Sequence, residues 1–167
     1  IKGDSIVQTD GGKTNTSNAA GNTVVDGTKS TATTAAGTTI TDGAKTNTNT
    51  ADKNVIDDGA GNTNTSNATS NTIADPNGNT NTATATSNTL ADNAGNSNVS
   101  NATSNNLTDN AGNSNISNAT SNTLKNAAGD ETKVDAKGAT VKDAAGNTTN
   151  VASTGATVTN AAGDTTK

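Results

Sequence analysis

Residues 89–105 read TLADNAGNSNVSNATSN, and residues 106–122 read NLTDNAGNSNISNATSN. The two blocks differ at only three positions. The same pattern returns about every 17 residues from one end of the chain to the other, and the first three blocks are one residue shorter. Self-similarity at a fixed short period is typical of repeat architectures. The sequence therefore predicts an architecture, and it does not name a reaction.

Four columns define the repeat. The second position of each block after the first, which has Gln8, is apolar: Val24, Ile40, Ile56, Ile73, Leu90, Leu107, Leu124, Val141 and Val158. The fourth position is acidic or its amide: Asp10, Asp26, Asp42, Asp58, Asp75, Asp92, Asp109, Asn126, Asp143 and Asn160. A glycine follows one to three residues later, and a small residue, usually alanine, comes late in the block.

Two turns are predicted in each block. Asp-Gly and Asp-x-x-Gly are turn signals, because Asp bonds its own downstream backbone and Gly accepts a positive φ. We therefore expect Gly95 and Gly112 at positive φ. A second turn is predicted at the end of the block, where Gly or Ser recurs. The short segments between the turns are rich in Thr, Val and Ile, which favour strands over helix.

We interpret two strands and two turns as one coil of an all-β protein, a β-solenoid (β-helix) of about ten coils with a 16–17-residue repeat. Residues 1–6 are predicted as a leading segment and residues 7–167 as the repeat array. Stacked coils lie about 4.8 Å apart. Leu90, Leu107 and Leu124 would then form one buried column, with Asn98 and Asn115 as stacked neighbours.

A shift in register is predicted in the later blocks. Val99 and Ile116 occupy the eleventh position of their blocks, whereas Val134 occupies the twelfth. Because a shift of one residue swaps the faces of a strand, we expect a bulge or an altered strand path between Asn118 and Val134.

The composition is unusual for a globular protein. Phe, Trp, Tyr, Met, Cys, His and Arg are absent, and hydrophobic residues make up 27% of the chain. Composition alone favours disorder, but the exact period favours an ordered array. A net charge of −5 argues against nucleic acid, and no apolar run approaches a membrane span. With no signal peptide and no initiator Met, the chain is predicted to be an internal or processed part of something longer.

The missing residue types exclude most site chemistry. Without His and Cys, most catalytic triads and zinc sites are ruled out, so we assign no catalytic, cofactor-binding or metal residues, no cofactor and no enzymatic activity. The Asp column has two interpretations, as turn caps or as stacked calcium ligands, and one acid per block favours the caps. Asn-x-Ser/Thr sequences such as Asn67-Ala68-Thr69 recur as expected in a chain rich in Asn and Thr, and do not by themselves support glycosylation.

The Thr-x-Thr pairs suggest an alternative function. Each pair places two threonines on one strand face, and the pairs are Thr14/Thr16, Thr46/Thr48, Thr63/Thr65 and Thr80/Thr82. This pattern resembles the faces of ice-binding (antifreeze) β-solenoids. It covers the first half of the chain only, and Glu131 and Lys133 interrupt the equivalent positions later.

Taken together, the Thr-apolar-x-Asp-x-Ala-Gly-Asn blocks with Asn-Ala-Thr-Ser-Asn tails resemble the repeat regions of secreted bacterial β-solenoid adhesins and extracellular matrix fibres. The resemblance implies an extracellular or cell-surface structural role in a filament, fibre, adhesin stalk or biofilm matrix. It also implies self-association into a polymer or with further repeats, without nucleic acid or membrane insertion. Neither predicted end of the solenoid carries a blocking cap, which favours end-to-end assembly.

Overall fold

The computed structural model describes residues 3–167 and divides the chain into two compact units, Ile1–Ala85 and Thr86–Lys167. Each unit consists of strands and short turns. No helix in the described part of the chain is long and apolar enough to cross a membrane. The predicted boundary between a leading segment and the array, at residues 6 and 7, stays a prediction.

The first unit is an antiparallel meander of ten strands, in which each strand pairs with the next along the chain. The strands are β1 Ser5–Asp10, β2 Lys13–Asn18, β3 Gly21–Asp26, β4 Lys29–Thr34, β5 Gly37–Asp42, β6 Lys45–Thr50, β7 Lys53–Asp57, β8 Thr63–Asn67, β9 Ser70–Ala74 and β10 Thr80–Thr84.

The second unit is built in the same way from ten further strands. They are β11 Ser87–Ala91, β12 Ser97–Asn101, β13 Ser104–Thr108, β14 Ser114–Asn118, β15 Ser121–Lys125, β16 Glu131–Asp135, β17 Gly138–Lys142, β18 Thr148–Ala152, β19 Gly155–Thr159 and β20 Thr165–Thr166.

The repeat is a β-hairpin and not a coil, so the predicted β-solenoid is wrong. Leu90 lies opposite Asn98 of the same block, and Asn98 lies opposite Leu107 of the next. Both turns of a block reverse the chain within two to five residues, which joins antiparallel neighbours. A coil and a hairpin have the same order of strands and turns, and only the direction of the chain after each turn distinguishes them.

The predicted buried column is also wrong. Leu90, Leu107 and Leu124 are separated by Asn98 and Asn115, so the asparagines are not stacked neighbours of each other. The three leucines are 57%, 52% and 48% exposed. Across residues 3–167, no hydrophobic side chain is fully buried. The open sheet is instead held together by its ladders of backbone hydrogen bonds and by cross-strand contacts.

Turn length explains the two block lengths. In β1 to β6 of the first unit, two-residue turns such as Gly11-Gly12 join six-residue strands, which gives 16 residues per block, whereas β7 to β10 are five residues long and follow the longer pattern of the second unit. In the second unit, five-residue strands alternate with turns of five and two residues, which gives 17. Gly95 and Gly112 take φ of 91° and 90°, so their predicted positive φ is confirmed.

The late valines change faces without the predicted bulge. Ile116 lies opposite Thr123, whereas Val134 lies opposite Asn122, on the other face of the sheet. The ladder from β14 to β16 is uninterrupted, so the predicted bulge is wrong. Because neither face is packed into a core, the sheet accepts an apolar residue on either face without a shift of register.

Candidate functional site

One face of the second unit carries a row of aliphatic side chains, which we call the apolar stripe. Its members occupy the same register position on every second strand: Leu90, Leu107, Leu124, Val141 and Val158. Each intervening strand contributes one polar residue at the same register position: Asn98, Asn115, Thr132 and Thr149. We call this side of the sheet the stripe face.

The apolar stripe is exposed along its whole length. Its five side chains are between 48% and 57% exposed. Scattered exposed leucines are ordinary, whereas here apolar and polar side chains alternate in a regular row along one face. The repeat therefore aligns aliphatic side chains on a surface where no part of the chain's own fold buries them.

A groove of about 650 Å³ lies over the middle of the stripe. Leu107, Leu124 and Val141 contribute its apolar side chains, with Asn115 and Thr132 between them. Asp109, Asn113, Asn126 and Asp130, from the five-residue turns, line one end. The groove therefore combines an aliphatic surface with hydrogen-bonding groups and with charges of both signs, including Lys125 and Lys142.

The first unit repeats the arrangement with smaller and more branched side chains. Val24, Ile40, Ile56 and Ile73 are 45–50% exposed. Beside them on the same face runs a column of alternating charges: Asp10, Lys13, Asp26, Lys29, Asp42 and Lys45. Ion pairs join Lys13 to Asp26 at 3.1 Å and Lys29 to Asp42 at 3.2 Å. Such exposed pairs stabilise a fold by no more than about 1 kcal/mol each.

The Thr-x-Thr pairs lie on the opposite face, where they are half-buried. Across β9 and β10, the hydroxyls of Thr72 and Thr82 are 3.3 Å apart. Glu131 lies opposite Lys125 and Lys142, so this lone glutamate has two basic cross-strand neighbours. The threonines thus belong to one face of an antiparallel sheet and do not form one side of a coil.

From Asp58 onward the Asp column caps the five-residue turns, as the turn interpretation predicted, whereas Asp10, Asp26 and Asp42 end six-residue strands beside the lysines. Asp92 accepts hydrogen bonds from the backbone of Ala94 and Asn96 at 3.0 and 2.9 Å, and from Asn96 Nδ2 at 2.7 Å. The bond from the Asn96 side chain is the main reason why the pKa of Asp92 lies below its usual value. Among the residues that the structure describes, no three acidic side chains are grouped to hold a metal ion.

Two blocks have Asn in place of Asp at the fourth position, and there the hydrogen bond runs from this Asn to an Asp four residues later. Asn126 Nδ2 donates to Asp130 at 2.6 Å, and Asn160 Nδ2 donates to Asp164 at 2.8 Å. Acid and amide have exchanged places four residues apart, so one charge and one donor remain in each turn. The exchange is visible in the sequence, where Asp-x-x-Gly-Asn becomes Asn-x-x-Gly-Asp.

We predict that exchanging Asp92 and Asn96 will preserve stability while either single change lowers it. Asp92→Asn removes the charged acceptor, and Asn96→Asp sets two carboxylates against each other. The double variant Asp92→Asn/Asn96→Asp recreates the order found at Asn126 and Asp130. Urea unfolding at neutral pH measures the three midpoints, and a double variant less stable than both single variants would contradict the pairing.

The same turns predict acid sensitivity. The pKa values of Asp58, Asp75, Asp92, Asp109 and Asp143 are all lowered in the folded chain, in each case first by the side chain of the Asn four residues later. A lowered folded pKa gives stability that is complete above the unfolded pKa, about 3.9, and is lost as pH falls through the folded value. We expect the urea concentration at the unfolding midpoint to decrease as the pH is lowered below about 4. Between about pH 5 and 7 this concentration should stay constant.

The fold is similar to that of several solved structures. The TCP domain of SAS-4 (dCPAP) of Drosophila melanogaster, in complex with a Proline Rich Motif of Ana2 (dSTIL), matches with a TM-score of 0.57 and 12% identity, covering 73% of this chain and 88% of that one. The wild-type TCP10 domain of Danio rerio CPAP matches with a TM-score of 0.53 and 13% identity, covering 98% and 92%. No protein-family model and no curated protein matches the sequence.

A third structure, described as the G-box domain of the microcephaly protein CPAP, matches with a TM-score of 0.56 and 12% identity, covering 98% of both chains. These likenesses show the fold, an open antiparallel sheet of the G-box type. They correct the resemblance to bacterial β-solenoid adhesins and matrix fibres, and with it the filament, adhesin-stalk and biofilm roles. The ice-binding solenoid is wrong for the same reason, because the strands of residues 3–167 pair as antiparallel hairpins and form no coils.

Proposed function

We propose that the chain is a non-catalytic binding module whose apolar stripe holds an extended peptide in the polyproline II conformation, lying across the strands. The spacing of the stripe carries the proposal. Leu90, Leu107 and Leu124 recur on every second strand, so neighbouring members are about 9.6 Å apart at the usual strand spacing. A polyproline II helix repeats every three residues, over about 9.3 Å.

The match in spacing lets one peptide face follow the stripe. Every third side chain of the peptide reaches an equivalent position beside successive stripe residues. The two periods differ by about 0.3 Å per step, which side-chain rotation absorbs over the length of the second unit. A peptide in β conformation would instead place side chains of one face about 6.8 Å apart, out of step with the stripe.

The polar residues between the stripe members suit the same ligand. A polyproline II backbone makes no internal hydrogen bonds, so its carbonyl groups seek donors. Asn115 presents an amide and Thr132 a hydroxyl inside the groove. Charges of both signs line the same groove: Asp109, Asp130 and Glu131 with Lys125 and Lys142.

The solved relatives support a peptide ligand. One relative was solved in complex with a Proline Rich Motif of Ana2 (dSTIL). The TCP10 domain of Danio rerio CPAP was solved with a peptide of Danio rerio STIL, and it matches this chain at 11% identity and a TM-score of 0.51. The absence of His and Cys from the sequence supports a role without catalysis.

The test compares labelled peptides that differ only in spacing. A peptide of about twelve residues, four turns of polyproline II, carries leucine at every third position and proline elsewhere, with one terminal lysine. Its partner has the same composition with leucines at irregular intervals. We expect saturable binding of the first peptide, at least tenfold tighter by fluorescence anisotropy. Equal binding of both peptides, or of neither, would overturn the proposal.

Two sequence predictions remain proposals. Self-association is tested by sedimentation of the same samples. A dimer that dissociates when peptide is added would indicate that a second copy of the chain binds to the stripe. The extracellular or cell-surface location is tested by surface labelling of cells that produce the native protein.

A further inference from the structure

The sequence contains nine Asn-x-Ser/Thr sequons, and the fold places them in three different settings. Five lie inside strands: Asn15, Asn64, Asn98, Asn106 and Asn115. Asn147 lies in a five-residue turn. The remaining three are the last residues of their strands and are each followed by a two-residue turn: Asn67, Asn101 and Asn118.

The three turn sequons share one local geometry. Asn101 Oδ1 accepts hydrogen bonds from Thr103 N and Thr103 Oγ1, both at 2.9 Å. Asn67 has the same contacts with Thr69 at 2.8 and 2.9 Å, and Asn118 has them with Thr120 at 2.9 and 2.8 Å. All three residues of each sequon are exposed.

This contact engages the required hydroxyl with the acceptor amide. The threonine hydroxyl and its backbone N–H both donate to Oδ1, the oxygen of the amide, so Nδ2 is the end of the side chain that these bonds leave uncommitted. Drawing electron density onto Oδ1 also makes the protons on Nδ2 more acidic. A strongly hydrogen-bonded amide oxygen at an exposed turn therefore prepares Nδ2 to give up a proton, and the loss of that proton makes Nδ2 the nucleophile.

We infer that Asn67, Asn101 and Asn118 are acceptor sites for N-linked glycosylation, with an oligosaccharide on a lipid pyrophosphate as the donor. The step forms a bond between Nδ2 and the anomeric carbon and breaks the bond from that carbon to the pyrophosphate oxygen. The lipid pyrophosphate leaves with the electron pair, and Nδ2 loses one proton to a base of the transferase. No oxidation or reduction is involved.

The other six sequons lie outside the two-residue turns, although Asn15 and Asn115 are exposed within their strands. Asn147 Nδ2 already donates to Asp143 at 2.7 Å. Asn106 also accepts a bond from its sequon hydroxyl, Thr108 Oγ1, at 3.3 Å, but it is half-buried and lies between Val99 and Ile116 in the ladder. A transferase must take the acceptor out of the sheet to reach such a residue, and each lost ladder contact opposes that.

The experiment offers the purified folded chain to a purified single-subunit oligosaccharyltransferase with a lipid-pyrophosphate oligosaccharide, and maps occupied sites by mass spectrometry. We expect glycans at Asn67, Asn101 and Asn118, at least tenfold more occupied than any strand sequon. The urea-unfolded chain, diluted into the same reaction, should lose this selectivity. No transfer to the folded chain, or equal transfer to strand sequons, would overturn the inference.

Two sets of variants isolate the geometry. Thr103→Ala should abolish modification of Asn101, and Thr103→Ser should retain it. Asn18 occupies an equivalent turn, where its Oδ1 accepts from Ala20 N at 2.8 Å, but it lacks the hydroxyl. Ala20→Thr should therefore create a fourth acceptor at Asn18. Failure of Ala20→Thr to be modified at Asn18, while Asn15 in the middle of the same strand is modified, would also overturn the inference.

Discussion

Gly138→Ala is expected to destabilise the second unit by about 4 kcal/mol, a large share of the roughly 5–15 kcal/mol that stabilises an ordinary domain. Gly138 begins β17 with a φ of 145°, which side chains of L-residues rarely adopt. Adding a Cβ there would also overlap the carbonyl oxygen of Val151 on the next strand. The conformational strain costs about 1–3 kcal/mol, and the overlap adds about 1–3 kcal/mol.

Gly155→Ala provides the matched control. Gly155 begins β19 at the equivalent turn with a φ of 133°, but a Cβ built on it meets no atom within 4 Å. Gly155→Ala should therefore lower the free energy of unfolding only by the conformational strain, about 1–3 kcal/mol. Urea unfolding followed by circular dichroism compares the two variants. Equal losses of stability would show that the close approach of β18 to Gly138 contributes nothing.

Leu124→Asp is expected to weaken binding of the leucine-spaced peptide at least tenfold, or by about 1.4 kcal/mol. The change puts a charge at the centre of the groove, between Asn115 and Thr132. The bound peptide would then have to cover an unpaired carboxylate, which is costly. Because Leu124 is 48% exposed in the free chain, the stability of the sheet should change by less than about 1 kcal/mol.

Thr123→Asp is the control for Leu124→Asp. It introduces the same charge one residue away, on the opposite face of β15, between Ile116 and Lys133. Peptide affinity should stay within about twofold of that of the parent chain. If both variants lose binding equally, the effect comes from charge or from unfolding, and the stripe is not the binding surface.

The candidate site could be predicted in part from the sequence. The apolar column was evident, and so were its spacing and the turns that flank it. Its exposure was not, because a column such as Leu90, Leu107 and Leu124 fits a buried stack as well as an open stripe. The exchange of acid and amide between Asp92/Asn96 and Asn126/Asp130 was also present in the sequence, but its meaning depends on the hydrogen bond that the folded turn creates.

The sequence by itself determined the strands, the turns and their period, because these depend on local preferences. Thr, Val and Ile favour extended backbone, and Asp with a following Gly favours a turn, as Gly95 and Gly112 confirm. Only the tertiary structure decided whether successive strands stack as parallel copies or fold back as hairpins. That choice depends on where the chain is directed after each turn and on which hydrogen bonds it then forms. Because both arrangements place the same residues in the same order of strands and turns, no local preference separates them.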